Sequence, residues 1–501
     1  MESIALLLDG FKHALTIWNL LYCLIGVSIG MLVGVLPGLG PVAGTALLIP
    51  ITFGMEPISA IIMLSGIFYG SMYGGTITSV LLNIPGESAS VITTLDGYQM
   101  AKQGRAGTAL GVAAIGSFIG GVAAILGLTF LGPPLAEFAL KFGPPEYFSL
   151  LVLGLLLLVG LMGKSVVRGL IAACFGLILS LIGMDPVSGA IRFTFGQMEL
   201  MEGLDFVVVA MGLFGISEIL LNAESHMKMD KPAKIQGLLP ARDEWKPTLK
   251  AIGRGTGIGF LIGLIPGANS VIASILSYSL EKKVAKDPSR FGKGAIEGVA
   301  GPETANNAHS GAAMIPLFTL GIPSSPTVAI ILGAFIMHGL TPGPTLFQNN
   351  PDFVWGVIAS MFIGNLILLI FNLPLAKVWA KVAMVPYEIL FPLILILSVV
   401  GVYSIRSSLW DVGLMIAFGV IGYLMKKLDL PIAATVLTFV LGSQIESTLL
   451  QSLASSQNGL LVFFHSPISG TLISLAIIIL VVSVIAGLKK KRSALVSDLE
   501  A

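Results

Sequence analysis

The residues able to do chemistry in this sequence sit at paired Gly-Pro breaks. One pair reads G-V-L-P-G-L-G at 34–40 and G-L-I-P-G-A-N at 263–269. The other reads L-L-N-I-P-G-E-S at 81–88 and T-L-G-I-P-S-S at 319–325. Proline carries no N–H and glycine accepts unusual dihedrals, so such a pair inside an apolar helix unwinds it. Unwinding leaves N–H donors at the start of the next half-helix, where the helix dipole also favours an anion. Carbonyls freed at the end of the preceding half-helix suit a cation such as Na⁺. The anion-binding candidates are therefore Pro37, Gly38, Gly40, Asn83, Gly86 and Ser88 in the first half, and Gly267, Asn269, Ser324 and Ser325 in the second. The cation candidates are Asn83, Thr304, Asn306 and Asn307, the last three within P-E-T-A-N-N-A-H-S at 302–310.

Lys and Arg are nearly absent at the breaks, which assigns the anion to backbone dipoles and hydroxyls rather than to a salt bridge. Glu87, Asp96, Glu297, Glu303 and His309 lie near the breaks and read as loop or pairing residues rather than proton carriers. With so few acids there, Na⁺ is favoured over H⁺ as the coupling ion. A single break is explained by a kink or by helix packing, for which membrane helices use Gly and Pro freely. Two motif pairs in the same order, flanked by Asn and Ser, point instead to a duplicated binding element.

Other chemistries fail on spacing. Gly163-Lys164-Ser165 looks like the end of a phosphate loop, but that motif needs glycine where the chain has Leu158, and a strand before it. There is no H-E-x-x-H, and the 5 His are dispersed. Cys23 and Cys174 fall in apolar segments, so neither a disulfide framework nor a metal site is expected. An intramembrane enzyme would present a converging nucleophile, base or metal, and none is visible. A non-transporting scaffold would not need duplicated breaks. No catalytic residue and no resident cofactor is expected. A net charge of +1 gives no reason to expect a nucleic-acid partner.

The elements that position these breaks must lie in lipid. The chain has 501 residues, of which 55% are hydrophobic and 11% charged, against about 25% charged in soluble domains. Its apolar runs are long and lack strand alternation. Only helices or closed barrels satisfy backbone polar groups in a bilayer, so the expectation is an all-α polytopic membrane protein with about ten to twelve crossings plus re-entrant segments. The first run, near 14–36, reads as a retained helix rather than a cleaved leader.

The basic residues between runs set the sidedness. The polar stretch 223–254 carries Lys228, Lys231, Lys234, Arg242, Lys246, Lys250 and Arg254, which places it in the cytoplasm. Counting crossings from there puts Lys102, Arg105, Lys164, Arg168, Lys377, Lys381, Lys426, Lys427 and the cluster Lys489–Arg492 inside. The loops at 185–203, 341–352 and 451–466 fall outside. The broken stretch 37–95 leaves the side of the N-terminus open. On this scheme the first I-P-G leads to an inside loop and the matching I-P-S to an outside one, so the two copies are inverted. Inverted repeats with discontinuous helices and a midplane site are a plan of secondary transporters. The domains expected are a membrane repeat at 1–222, a cytoplasmic linker at 223–254, a second repeat with additional helices at 255–488, and a cytoplasmic tail at 489–501.

These motifs, with the surrounding G-V-L-P-G-L-G-P-V-A-G-T-A-L-L-I-P at 34–50 and S-G-I-F-Y-G-S-M-Y-G-G-T-I-T-S-V-L-L-N-I-P-G-E at 65–87, resemble the large permease subunit of tripartite tricarboxylate transporters, the TctA family. The resemblance covers nearly the whole chain. It implies import of small di- or tricarboxylates such as citrate across the bacterial inner membrane, driven by a cation gradient. It also implies two protein partners, a small membrane subunit and a periplasmic solute-binding protein. Related inverted-repeat carriers with paired re-entrant hairpins move as elevators, which extends to the hairpins around Pro37, Pro85, Pro266 and Pro323 here. The alternative is a standalone organic-anion carrier or exporter that needs no binding protein.

Overall fold

The computed structural model describes residues 2–499 except 37, 163–164, 186–188, 225–234, 386 and 457–458. Pro37 thus lies outside the described residues, as do Lys164, Lys228, Lys231 and Lys234. The chain is helical almost throughout. Its first half runs α1 (Glu2–Ala14), α2 (Ile17–Val35), α3 (Gly40–Leu48), α4 (Pro57–Leu82), α5 (Val91–Lys102), α6 (Ala106–Ala139), α7 (Pro144–Met162) and α8 (Val166–Ser180). A small antiparallel pair follows, β1 (Gly183–Met184) with β2 (Ile191–Arg192). Next come α9 (Phe206–Ala210), a π-helical turn at Met211–Ile216, and α10 (Ser217–Glu224), which together form one span.

The second half runs α11 (Trp245–Gly263), α12 (Ser270–Val284), α13 (Glu297–Ala312), α14 (Met314–Leu320), α15 (Pro326–Met337), α16 (Leu346–Asn349) and α17 (Pro351–Asn372). It closes with α18 (Ala376–Val382), α19 (Tyr387–Arg406), α20 (Leu409–Lys427), α21 (Ile432–Ala454) and α22 (Pro467–Leu499). Among the described residues 7 helices are long and apolar enough to cross a membrane. Shorter apolar helices include Pro144–Gly160, Val166–Ser180, Pro392–Arg406 and Pro467–Ser483. This is a multi-pass membrane protein.

Two boundaries differ from the sequence reading. Residues 245–254, read as the end of the linker, already form the start of α11. The reason is amphipathicity. Thr248, Ala251, Ile252 and Gly255 are buried, whereas Lys246, Lys250 and Arg254 recur on the opposite stripe at a spacing of one helical turn. Likewise the tail from 489 continues the α22 helix as far as Leu499.

One packing motif occurs in both halves. Helix α2 presents Gly26, Gly30 and Gly34 to the backbone of α4, where added Cβ atoms would lie 2.4, 2.6 and 2.1 Å from the carbonyl oxygens of Met63, Ile67 and Ser71. Helix α11 presents Gly255 and Gly259 to α13, with Gly301 and Ala305 oxygens at 2.4 and 2.2 Å from the corresponding positions. Gly263 follows one turn later, against Ala312 and His309. Lipid tails provide no hydrophobic drive between helices, so small residues that let backbones touch are what hold such pairs together. In each half the glycine ladder ends three residues before the Pro-Gly break, so the break starts where the helix is most firmly held.

Ion pairs and clefts sort the loops into two faces. Arg105 pairs with Glu244, Gln103 donates to the Lys293 carbonyl at 2.8 Å, Arg168 reaches Asp429 at 3.0 Å, and Lys427 reaches Glu224 at 2.5 Å. Segments read as lying on one side therefore touch one another. At the far end of α6, a cleft of about 220 Å³ joins Glu2, Ser3, Ala136, Glu137, Pro344 and Gln348. The N-terminus, unplaced by the sequence, is thus on the face of the 341–352 loop.

Candidate functional site

The breaks fold toward each other. A cavity of about 460 Å³ is lined by Gly38, Gly40 and Val42 from the first break, Gly86, Glu87 and Ser88 from the second, Asn269, Ser270 and Val271 from the third, and Ser325, Pro326 and Thr327 from the fourth. The first, third and fourth segments open α3, α12 and α15, and the second precedes α5, whose first residue Val91 also lines the cavity. Each helix N-terminus carries roughly half a positive elementary charge in its unsatisfied N–H groups. Four of them around one cavity make it a place for an anion, with no arginine or lysine required at the breaks themselves.

The backbone conformations explain the motif residues. Gly38 and its counterpart Gly267 both have left-handed backbones, with φ of +93° and +82°. A Cβ on Gly267 would sit 2.4 Å from the Leu158 backbone, so the position is restricted twice over. The Gly267 N–H donates to the Ser324 carbonyl at 3.0 Å, which ties the third break to the fourth. Gly86 is needed for space, because an added Cβ would lie 2.0 Å from the Gly34 carbonyl oxygen.

The second-half helices are capped. The Asn269 side chain accepts from the Ile272 N–H at 3.1 Å, and the Ser325 hydroxyl from the Val328 N–H at 3.4 Å. Helices α3 and α5 have no side-chain cap. Ser324, although in the motif, points away from the cavity and donates to the Ala313 carbonyl at 3.1 Å.

Asn83 is not a wall of the cavity. It is exposed and is the C-cap of α4, with φ 60° and ψ 26°. Its counterpart in the second motif, Gly321, caps α14 at φ 70° and ψ 21°. Asparagine is among the few residues besides glycine that tolerate this conformation, so the backbone accounts for its identity. Thr304 is buried and donates to the Ala300 carbonyl at 2.7 Å. Asn306 donates to Glu87 Oε1 at 3.0 Å, and Asn307 to the Ser117 hydroxyl at 2.7 Å. The amide oxygens of Asn306 and Asn307 are buried with no hydrogen-bond partner among the described residues. The structure therefore places Thr304, Asn306 and Asn307 on α13, with Asn306 toward Glu87 and Thr304 and Asn307 toward α6, and leaves Asn83 apart from them.

The acids read as pairing residues do pair. Glu303 accepts from the Thr76 hydroxyl at 2.6 Å and from Thr93, joining α13 to α4 and α5. Asp96 accepts from the N–H groups of Gly292, Gly294 and Ala295 at 2.9, 2.7 and 2.8 Å, and from the Tyr278 hydroxyl at 2.9 Å. Glu297 takes Arg290 at 2.7 Å. Glu87 differs in facing the cavity while it accepts from Asn306 and, at 2.7 Å, from the Ala89 N–H.

Sequence reasoning gave the remaining walls no binding role, although it placed His309 near a break. Phe68 and Met72 of α4, Phe214 in the π-helical turn, Glu218 of α10, His309 of α13 and Lys426 of α20 all line the cavity. Lys426 donates to Glu218, so the site has one cationic side chain, already paired, contrary to a purely dipolar reading. Lys426 lies far from the breaks in sequence, and its only visible signal was positional charge at a helix end. The π-helical turn was equally silent, although such turns concentrate at functional sites.

The model of the tripartite tricarboxylate transporter TctA family matches residues 20–437. The chain is 46% identical over 493 residues to an uncharacterized 52.8 kDa protein in the TAR-I ttuC' 3'region of Agrobacterium vitis, covering 98% of each chain. It is 44% identical over 234 residues to an uncharacterized protein in the TAR-II ttuC' 3'region of the same organism, covering 47% of this chain and 97% of that protein. No solved structure matches it.

Proposed function

This chain belongs to the tripartite tricarboxylate transporter TctA family, and from that premise we propose that it is the transmembrane subunit of a binding-protein-dependent secondary transporter importing small carboxylates of the di- or tricarboxylate type, such as citrate. The observation that carries this reading is the convergence of four helix N-termini on one cavity. A carboxylate there meets free N–H groups of α3 and α5 and the hydroxyl of Ser88. The driving force is a cation gradient, Na⁺ by preference. The unpartnered amide oxygens of Asn306, beside Glu87, and of Asn307, beside Ser117, supply neutral oxygen ligands of the kind that ion takes.

The two halves act as inverted repeats. The shared order of glycine ladder, Pro-Gly break, left-handed cap and second break supports that reading. Alternating access then moves the hairpins of both repeats together, as in an elevator. The protein works in the bacterial inner membrane with its C-terminus in the cytoplasm, alongside a small membrane subunit and a periplasmic solute-binding protein.

The test is labelled citrate uptake into proteoliposomes under an inward Na⁺ gradient, with and without the two partners. Uptake that needs all three proteins and the gradient is the expected result. Uptake by this chain alone would make it a standalone carrier. No uptake of any di- or tricarboxylate in the complete system would overturn the proposal.

A further inference from the structure

One wall of the cavity carries a hydrogen-bonding capacity that nothing in the protein uses. His309, in the last turn of α13, is 1% exposed and lines the cavity. Its Nε2 lies 2.8 Å from the Ala268 carbonyl oxygen, inside the third break. A carbonyl only accepts, so Nε2 carries the proton, and the hydrogen-bond network fixes this tautomer. In the neutral ring Nδ1 is then an acceptor. It is buried and has no partner among the described residues. A buried acceptor left unpaired is costly unless a ligand satisfies it.

We propose that His309 is a specificity residue that accepts a hydrogen bond from a substrate hydroxyl, and that the cavity selects 2-hydroxy carboxylates over unhydroxylated ones. The proposal rests on the carboxylate reading of the same cavity. The donor must be carried by a ligand that is anionic overall, because four helix N-termini surround it. That excludes an ammonium group as the main recognition element and leaves a neutral O–H. The hydroxyl must also lie next to a carboxylate. Ala268, which holds the imidazole, is followed directly by the cap Asn269 and by Ser270 and Val271, the first two residues of α12, all three at the cavity wall. The cap takes only the Ile272 N–H, so while one carboxylate of a di- or tricarboxylate lies at α3 and α5 a second can meet the first N–H groups of α12, which places the group on its adjacent carbon toward His309.

Malate and succinate share one four-carbon skeleton and both carboxylates, and differ by the hydroxyl alone. Their affinities are compared by calorimetry on the full purified chain. The wild type is expected to bind malate at least about tenfold more tightly than succinate. His309→Phe removes the Nδ1 acceptor and puts no other in its place. It is expected to lower malate affinity to the succinate level while succinate binding stays within about twofold. His309→Leu serves as a second variant with the same expectation. Equal affinities in the wild type, or a malate preference that survives in a folded variant, would overturn the proposal. Failure of malate, succinate and citrate alike to bind would instead sink the carboxylate reading, and this inference with it.

Discussion

The first-half and second-half breaks have the same backbone and different chemistry. Gly38 and Gly267 share a left-handed conformation, and so do Asn83 and Gly321. Yet α12 and α15 are capped by Asn269 and Ser325, whereas α3 and α5 have no side-chain cap. The second half is also tied to itself through Gly267 and Ser324, and α15 is buried along most of its length. Helix α5 shows Val91 and Leu95 at its surface. The break thus has the same backbone form in both halves while its polar lining differs. The uncapped half keeps donors free for a ligand, and the capped half supplies the fixed wall.

The comparison breaks most readily at the glycine ladders. Gly34→Val would drive a side chain into the Ser71 carbonyl, 2.1 Å from the new Cβ, whereas Gly263→Val would meet Ala312 Cβ at 2.7 Å and the His309 carbonyl oxygen at 2.8 Å. We expect overpacking losses of about 1–3 kcal/mol, larger for Gly34→Val, read as the midpoint of thermal unfolding in detergent. Equal losses would remove the difference between the two ladders.

Next in size is the cap of α4. Asn83→Ala should cost about 1–2 kcal/mol, because alanine tolerates the left-handed region poorly. Asn83→Gly should retain wild-type stability and uptake. A rise in substrate KM for Asn83→Gly would return Asn83 to the binding site.

Smaller again is the contrast of caps. Asn269→Ala should lower stability by about 1 kcal/mol through the lost bond to Ile272. Ser88→Ala should leave the unfolding midpoint unchanged and raise KM for citrate severalfold, since Ser88 caps nothing and faces the cavity. The reverse pattern would contradict the assignment of free donors to the first half.

Much of this was legible in the sequence, because membrane helices are written in long apolar runs and their breaks in Pro and Gly. The positions of all four breaks were readable, and so was the grouping of Arg105, Arg168 and Lys427 on the loops that meet one another. The charged stripe of α11 hid a helix inside an apparent linker, since hydropathy does not register a stripe that alternates with buried small residues. The left-handed backbone of Asn83 was not legible, because a side chain's chemistry is visible in a sequence and its φ is not. Lys426, Glu218 and Phe214 reach the cavity from elements far from every motif, and single-chain patterns carry no signal for contacts between such distant segments.

The central claim is that the cavity at the four helix N-termini holds the carboxylate. With Cys23 and Cys174 the only two cysteines, Ser88→Cys on a cysteine-free background gives one thiol at the cavity wall. Its maleimide labelling rate, measured on the purified chain with and without citrate, tests the claim directly. The account predicts that citrate slows labelling in a saturable manner, at concentrations that match its binding. A rate unchanged by citrate that demonstrably binds the protein would place the substrate elsewhere.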